Sequence, residues 1–485
     1  MRIMRVLLLC LALGGIAHAQ GVLPDVLSGV VKGTTKPNHT YIVRDSIIVN
    51  VGDTLRVSAG DTLIMASPTG WIQVLGTFIC EGTPTAQNVI TVPPARRITP
   101  GQWGGIEGDS CKLLSIKWTQ ILWAGGNDYG GHARRTIDVY SDYQNTTTTV
   151  FTDNTVVATV DDCIGLHGGN ASVLRNTIKR CGAPDGDDIN VKDGTIGEIA
   201  YNVIWSSGGN GIKLNANPSL LRITNMAIHN NTILAGGWRR VGELGYAILV
   251  DKSSRAQIYN NIMGDMYQEL EITSKADTLR TVYDNNLFCY SVDSLKGLVR
   301  YYPSDGVGRP APHDIQDVPT AALFASYQPY FTNDWFSLDG GNDYHLLSGS
   351  QASGHGWTPP ASWVNPYFPG VNLPGAPNIG ALGTTTLAGV QAGSTALPTG
   401  YTLLQNYPNP FNPSTTISYT LPNSAEVLLR VYNLLGQEVG TLVQQLQPAG
   451  SYSVRFDASK LTSGVYLYHL QAGSFSEVRK MLLVK

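Results

Sequence analysis

The sequence predicts an all-β protein: a right-handed parallel β-helix solenoid followed by a small Ig-like β-sandwich. Three observations carry that expectation. The first is compositional. Of 485 residues, 53 are Gly and 26 are Pro, and only 14% are charged, against an ordinary share of about 25%. A chain rich in turn formers and poor in Lys and Glu favours short strands over helix bundles. The second is a repeat. Asn154-Thr155-Val156, Asn176-Thr177-Ile178, Asn202-Val203-Ile204, Asn231-Thr232-Ile233, Asn261-Ile262-Met263 and Asn286-Leu287-Phe288 share one pattern, with steps of 22, 26, 29, 30 and 25 between their Asn residues. Such a period with β-type alternation signals a solenoid, whose repeats bury their apolar residues only by stacking on one another. The third is the loss of that period near the end. Ile417 to Leu421, Val427 to Tyr432, Tyr452 to Phe456 and Val465 to Leu470 read instead as the turn-bounded strands of a small sandwich.

The elements follow in order. Arg2 and Arg5, the apolar run 6–16 and Ala17-His18-Ala19 have the layout of a secretory signal peptide over 1–19. The run is too short to span a bilayer, which needs about 20 residues, and no other stretch would span one. Leu9 before Cys10 fits a lipoprotein signal poorly. The solenoid is expected over 20–383. Residues 384–402, rich in Thr, Ala and Gly, read as a linker, and 403–485 as the sandwich. Lys plus Arg number 33 against 36 Asp plus Glu, a net charge of −3, so no basic field exists to hold nucleic acid. Cys80, Cys111, Cys163, Cys181 and Cys289 are odd in number and match no zinc spacing; they read as buried apolar residues.

A second series interleaves with the first: Ile164, Ile189, Ile212, Ile248 and Leu270 begin short alternating runs. With these residues inward, period 2 sets three outward columns. One reads Cys163, Asp188, Gly211, Ala247, Glu269; the next Gly165, Asn190, Lys213, Leu249, Glu271; the third His167, Lys192, Asn215, Asp251, Thr273. The repeated Asn has a structural reading. At a strand corner it tolerates the left-handed conformation, and stacked Asn side chains can form a hydrogen-bonded ladder. Ile212→Asp should therefore destabilise severely, and Asn202→Ala by about 1 kcal/mol.

Two resemblances stand beside this reading. Asp53-Thr54-Leu55-Arg56-Val57, Asp61-Thr62-Leu63-Ile64-Met65, Trp71 to Thr77 and Gln102-Trp103-Gly104-Gly105-Ile106 resemble the entry coils of secreted, pectin-lyase-like bacterial β-helix proteins. Asn342 to Leu346, Gly349-Ser350 and Pro377 to Ala381 are similar to their closing coils. This likeness spans about 40 to 383 and is specific for fold, not activity. The segment from Leu403, with Asn406-Tyr407-Pro408-Asn409-Pro410-Phe411, Tyr432 to Gln437, Ser463-Gly464-Val465-Tyr466 and Lys480 to Lys485, closely resembles the type A sorting domain of type IX secretion. That implies the type IX machinery as a partner and delivery to the surface or surroundings of a Gram-negative cell.

Chemistry is expected in a groove on the face that carries the three columns. The 36-residue step from Ile212 to Ile248 holds an insertion with Trp238, Arg239 and Arg240, a platform for a sugar ring and an anionic group. An anionic-polysaccharide lyase would use Lys213 or Lys192 as base and Arg239 or Arg240 to neutralise a uronate. Asp188 and Asp251 are the candidate Ca²⁺ ligands, with Lys213 expected to pair with Asp188. Trp238, Arg240, His167, Glu271 and Asn190 would contact an extracellular polysaccharide. A hydrolase would need two carboxylates. Asp161-Asp162-Cys163-Ile164 resembles a polygalacturonase segment, but no coil supplies that family's Gly-His-Gly, and Gly211-Ile212-Lys213 lacks its Arg-Ile-Lys. Asp185-Gly186-Asp187-Asp188 reads as a turn, and Gly354-His355-Gly356 as a chance likeness. The opposing class is a non-catalytic adhesin or structural solenoid.

Overall fold

The computed structural model describes residues 23–484 except 98, 128–133, 143, 145, 183–185, 221, 238–244, 292–300, 303–310, 328–341, 358–377, 383, 386–400, 404–405, 407–410, 412, 422–424, 435, 448–449 and 474. The expected signal peptide, the Trp238-Arg239-Arg240 insertion and most of the expected linker lie outside the described residues. The chain divides into two compact units, Met1–Leu387 and Ala388–Lys485. Among the described residues no helix is long and apolar enough to cross a membrane.

The first unit is a stack of three-sided coils. One coil shows the plan: strands Ile164–His167, Asn170–Leu174 and Thr177–Lys179 lie on its three faces. Gly168 and Gly169 turn the first corner at φ +79° and +81°, a region that glycine enters without steric cost. Each strand pairs in parallel with its counterpart in the next coil. Residues 170–174 belong to a ten-stranded parallel sheet, and the other two faces merge into one 21-stranded assembly. They merge because the long strand Thr40–Val49 pairs with both Thr62–Met65 and Ile72–Val74. Alternation places Ile164, Leu166, Ala171, Val173 and Ile178 inside, all essentially without solvent contact. The register Ile164↔Ile189↔Ile212↔Ile248↔Leu270 is continuous, as the spacing predicts.

The third face is apolar on both sides. Ile204 points inward, while Val203, Trp205, Leu234, Ile262 and Leu287 form a second cluster with Val318, Phe324, Tyr344, Leu346 and Ile379. The closing strands Phe324–Ser326 and Asp343–Leu347 therefore contribute the residues that bury this face. Cys80, Cys111, Cys163, Cys181 and Cys289 are all buried as free thiols.

The Asn series forms a continuous ladder. Asn176 N–H and Nδ2 both donate to Asn202 Oδ1, each at 2.9 Å, and Asn202 N–H and Nδ2 donate in turn to Asn231 Oδ1 at 3.0 and 2.9 Å. The pattern runs from Asn154 through Asn261 to Asn286, where Asp314 accepts the last backbone N–H. The left-handed residue is not the ladder Asn, as the sequence suggests, but the one before it: Asp153, Arg175, Tyr201, Asn230, Asn260 and Asn285 have φ between 53° and 60°. The corner turns there so that the following amide can point into the stack.

The second unit is two antiparallel sheets. One holds Thr402–Leu403, Ser414–Leu421 and Gly450–Asp457, the other Ala425–Asn433, Glu438–Gln447, Gly464–Ala472 and Phe475–Leu483. Its core, including Phe411, Tyr419, Leu429 and Tyr468, is its own. Asn406 is buried, its N–H donating to Tyr468 Oη at 2.8 Å and its Nδ2 to Thr415 Oγ1 at 2.9 Å. Phe411 joins the last strand by hydrogen bonds with Leu482 and Val484. In the hairpin at 433–437, Gly436 takes φ +77°, and Asn433 Oδ1 accepts the Gln437 N–H at 3.0 Å.

The ladder changes the expected cost of losing an amide. Asn202→Ala leaves both Asn176 donors unpaired in the interior, so the loss should be on the order of 3 kcal/mol rather than about 1. Ile212→Asp should prevent stable folding by burying an unpaired charge. Urea unfolding of the two variants should show this order, with the tail unit's transition unchanged.

Candidate functional site

The face begun by the Ile164 column extends toward the N-terminus through Ile106↔Ile137↔Ile164. One residue on, the outward column therefore reads Glu107, Asp138, Gly165, Asn190, Lys213, Leu249, Glu271. Two further on, Tyr140↔His167↔Lys192 stand in adjacent coils, about 4.8 Å apart.

Arg135 occupies the centre. Gly165 makes room for it: a Cβ there would lie 2.7 Å from Arg135 Cδ and 2.6 Å from Asp138 Oδ1. Arg135 Nη1 donates to Asp138 Oδ1 at 2.8 Å and lies 2.7 Å from His167 Nε2. Its Nε is 2.8 Å from Asp162 Oδ2, an ion pair without hydrogen-bond geometry. His167 stacks on Tyr140 with ring centroids 4.3 Å apart, and its Nδ1 is 3.2 Å from Asp193 Oδ2. Tyr140 Oη donates to Asp138 Oδ2 at 2.9 Å. Burial pushes the Asp138 carboxyl up, but His167 and Arg135 outweigh it and hold it below the usual range. Burial and the Asp138 charge raise the Tyr140 hydroxyl to about 12.

At the corner before the strands a second ladder runs in the opposite sense, built partly from acids. Asp187 N–H donates to Asp162 Oδ1, Asn210 N–H to Asp187 Oδ1 and Tyr246 N–H to Asn210 Oδ1, all at 2.9 Å. A carboxylate in a ladder has no N–H of its own, so neighbours supply donors. Asn190 Nδ2 bridges Asp162 Oδ2 at 2.9 Å and Asp187 Oδ2 at 3.0 Å, and Lys213 Nζ is 3.3 Å from Asp187 Oδ2.

Lys192 differs from these cations. Among the described residues no carboxylate lies within ion-pair distance of its ammonium. Burial first, then the positive charges of Arg135 and Lys213, lower its pKa below the ordinary lysine value, despite Asp162 and Asp187. Toward the N-terminal coils, Arg134 lies over the Trp71 ring at 3.2 Å and bonds Glu107 Oε2 at 2.5 Å. Burial raises the Glu107 carboxyl even so.

The structure brings together Asn190, Lys192, Lys213 and His167. It corrects Asp188, which is buried and points away from the face: its Oδ2 accepts from Ser207 Oγ at 2.5 Å, and its charge is felt by the buried Cys163 thiol. Both precede the strand, where the chain is still turning and period 2 does not yet hold. The partner of Lys213 is thus Asp187, not Asp188. Asp251 accepts from Thr273 Oγ1 at 2.7 Å, far along the column from Asp188. Two coils separate Asp188 from Asp251, and among the described residues no group of three His, Cys, Asp or Glu is placed to hold a metal ion. Glu271 is 7% exposed and accepts a hydrogen bond from the Tyr246 hydroxyl. Trp238, Arg239 and Arg240 lie outside the described residues. Sequence reasoning missed Arg135, Asp138, Tyr140 and the ladder role of Asp162 and Asp187. Extending the Ile column back to Ile137 would have exposed Asp138 and Tyr140.

Comparison with known families agrees with this architecture. Residues 111–286 match the family model of the right handed beta helix region, and the chain is a β-helix protein. Residues 405–485 match the secretion system C-terminal sorting domain, which makes it a secreted β-helix protein addressed by the type IX machinery to the cell surface or beyond. Neither a curated protein nor a solved structure matches the chain significantly. Because the tail has a core of its own, deleting 403–485 should leave the solenoid folded, with an unchanged thermal transition. In the producing cell the truncated protein should accumulate in the periplasm, read by fractionation and immunoblot.

Proposed function

We propose that the protein binds an anionic extracellular polysaccharide along this face and cleaves it by β-elimination, with Lys192 as the base. The observation that supports this reading is the Lys192 ammonium, partly desolvated, beside two other cations and, among the described residues, with no carboxylate at ion-pair distance. A lysine can abstract a proton only when neutral, and a lowered pKa supplies that form at milder pH. Nζ would take the C5 proton of a uronate, the C4–C5 double bond would form, and the C4–O bond would break, its oxygen taking a proton from water. Lys213 and the Arg239 and Arg240 of the insertion are proposed to neutralise the uronate carboxylate, which makes the C5 proton more acidic. Asn190, His167, Glu271 and Trp238 are proposed as further sugar contacts.

Hydrolysis is less well supported. Asp162 and Asp187, the nearest paired carboxylates, are committed to backbone N–H groups of the ladder and to Arg135, Asn190 and Lys213. A non-catalytic adhesin would use the same face without turnover.

The test is incubation of the purified protein with polygalacturonate, alginate and glucuronate-containing polymers. Ultraviolet absorbance reports unsaturated products, and reducing ends without absorbance report hydrolysis. Lys192→Ala should lower elimination by about 10²–10⁴-fold and leave the fold intact. Activity should rise with pH as Lys192 loses its proton, with a midpoint below 10.5. Lys213→Met removes a nearby positive charge, favours the ammonium form, and should move that midpoint to higher pH. Binding without product, or full activity in Lys192→Ala, returns the face to the adhesin reading.

A further inference from the structure

A cavity lies away from the proposed cleavage face, at the edge of the ten-stranded sheet. It measures about 270 Å³ and is lined by Gln257, Tyr259, Val282, Asp284, Asn285 and Trp357 among others. Its position follows from the coil plan. Strand Val282–Asp284 is the last in that sheet and pairs with Ser254–Tyr259, setting Gln257 beside Val282 and Tyr259 beside Asp284. Among the described residues no further strand of the sheet covers this edge.

The aromatic wall is fixed from behind. Tyr259 stacks on the buried His229 with ring centroids 5.2 Å apart and planes 5° from parallel, and His229 is held by Glu198 at 2.6 Å. Trp357 meets Tyr259 edge-on at 5.2 Å. Its backbone is clamped by Asn260, whose Nδ2 donates to Trp357 O at 2.9 Å and whose Oδ1 accepts the Trp357 N–H at 2.7 Å. Val282 adds an exposed apolar rim, 60% accessible.

The polar groups are mostly acceptors. Gln257 Oε1 is buried and accepts no hydrogen bond among the described residues. Asp284 takes hydrogen bonds from His313, which outweigh burial and keep its carboxyl below the usual range. Aromatic rings suit the apolar face of a pyranose, while acceptors suit its hydroxyls. A carboxylate here repels a uronate. The space of about 270 Å³ is that of about one sugar ring, so a longer chain would lodge one ring here and extend out of the mouth.

We propose that this cavity is a binding subsite for a neutral sugar residue, built by Tyr259, Trp357, Gln257 and Asp284. The site is independent of the elimination chemistry and of the charge on the other face. It would hold a neutral branch or a neutral glycan, where Lys192 and its neighbours take the acidic chain.

Calorimetric titration of the full chain with cellohexaose, xylohexaose, mannohexaose and maltohexaose tests it. At least one should bind, and Trp357→Ala should weaken that binding by about tenfold or more. Val282→Arg, a change at an exposed rim position, should block the mouth to the same degree without disturbing the interior, with an unchanged thermal transition as control. Lys192→Ala should bind the same neutral sugar as the unaltered protein does. The proposal is overturned if none of the four sugars binds, if Val282→Arg binds as tightly as the parent, or if Lys192→Ala loses binding equally. Loss of uronate cleavage alone would overturn the other face's assignment and leave this one standing.

Discussion

Each coil of the solenoid depends on the next for the partners of its corner amides. Asn202 is buried, and its amide group has no water to turn to; its donors end on Asn231 and on the Val173 carbonyl, and its oxygen receives Asn176. A buried amide costs little when all its hydrogen bonds are made and several kcal/mol when they are not. The ladder thus penalises any slip in register, because displacing one coil would orphan donors in its neighbours. The inward Ile column makes the same demand through packing. Together these two constraints fix which side chains meet on the outer face.

The outer face then follows from chemistry that begins at its own corner. Where the first ladder uses amides, the second uses Asp162 and Asp187, and a buried carboxylate needs compensating donors. Asn190, Arg135 and Lys213 meet that need, so most of the charge on this face is structural. This leaves Lys192 as the exception. It stands in the same column as Tyr140 and His167, but among the described residues no acid lies at ion-pair distance, and the two cations that serve the acidic ladder press on it. A functional reading that counted charges would weight Lys213 and Lys192 equally; their partners separate them.

Much of this was legible in the sequence. The Asn steps and the Ile column carry the fold because both repeat at the coil period and alternate at the strand period. The outward neighbours Asn190, Lys213, His167 and Lys192 follow by the same rule. Asp188 did not, because it sits one residue before its strand, where side-chain direction is set by the corner. Nor did the left-handed residues before each ladder Asn, which include Arg175 and Tyr201 and carry no glycine signal. Arg135 was hidden for another reason. Its role depends on the missing side chain of Gly165, some thirty residues on, and no local pattern links the two.

The division of the chain adds a last constraint. Solenoid coils are joined by parallel pairings between residues some 16 to 36 positions apart, each useful only once its neighbour has formed. The tail closes on itself through antiparallel strands such as Gly464–Ala472 and Phe475–Leu483, with Phe411 and Asn406 pinned from its own first residues. Its aromatic core shares no residue with either cluster of the solenoid. A sorting signal built this way can form without waiting for the solenoid to finish stacking. The corner ladders and the Lys192 face, by contrast, exist only where several coils are already in register, so any chemistry they perform belongs to the completed solenoid.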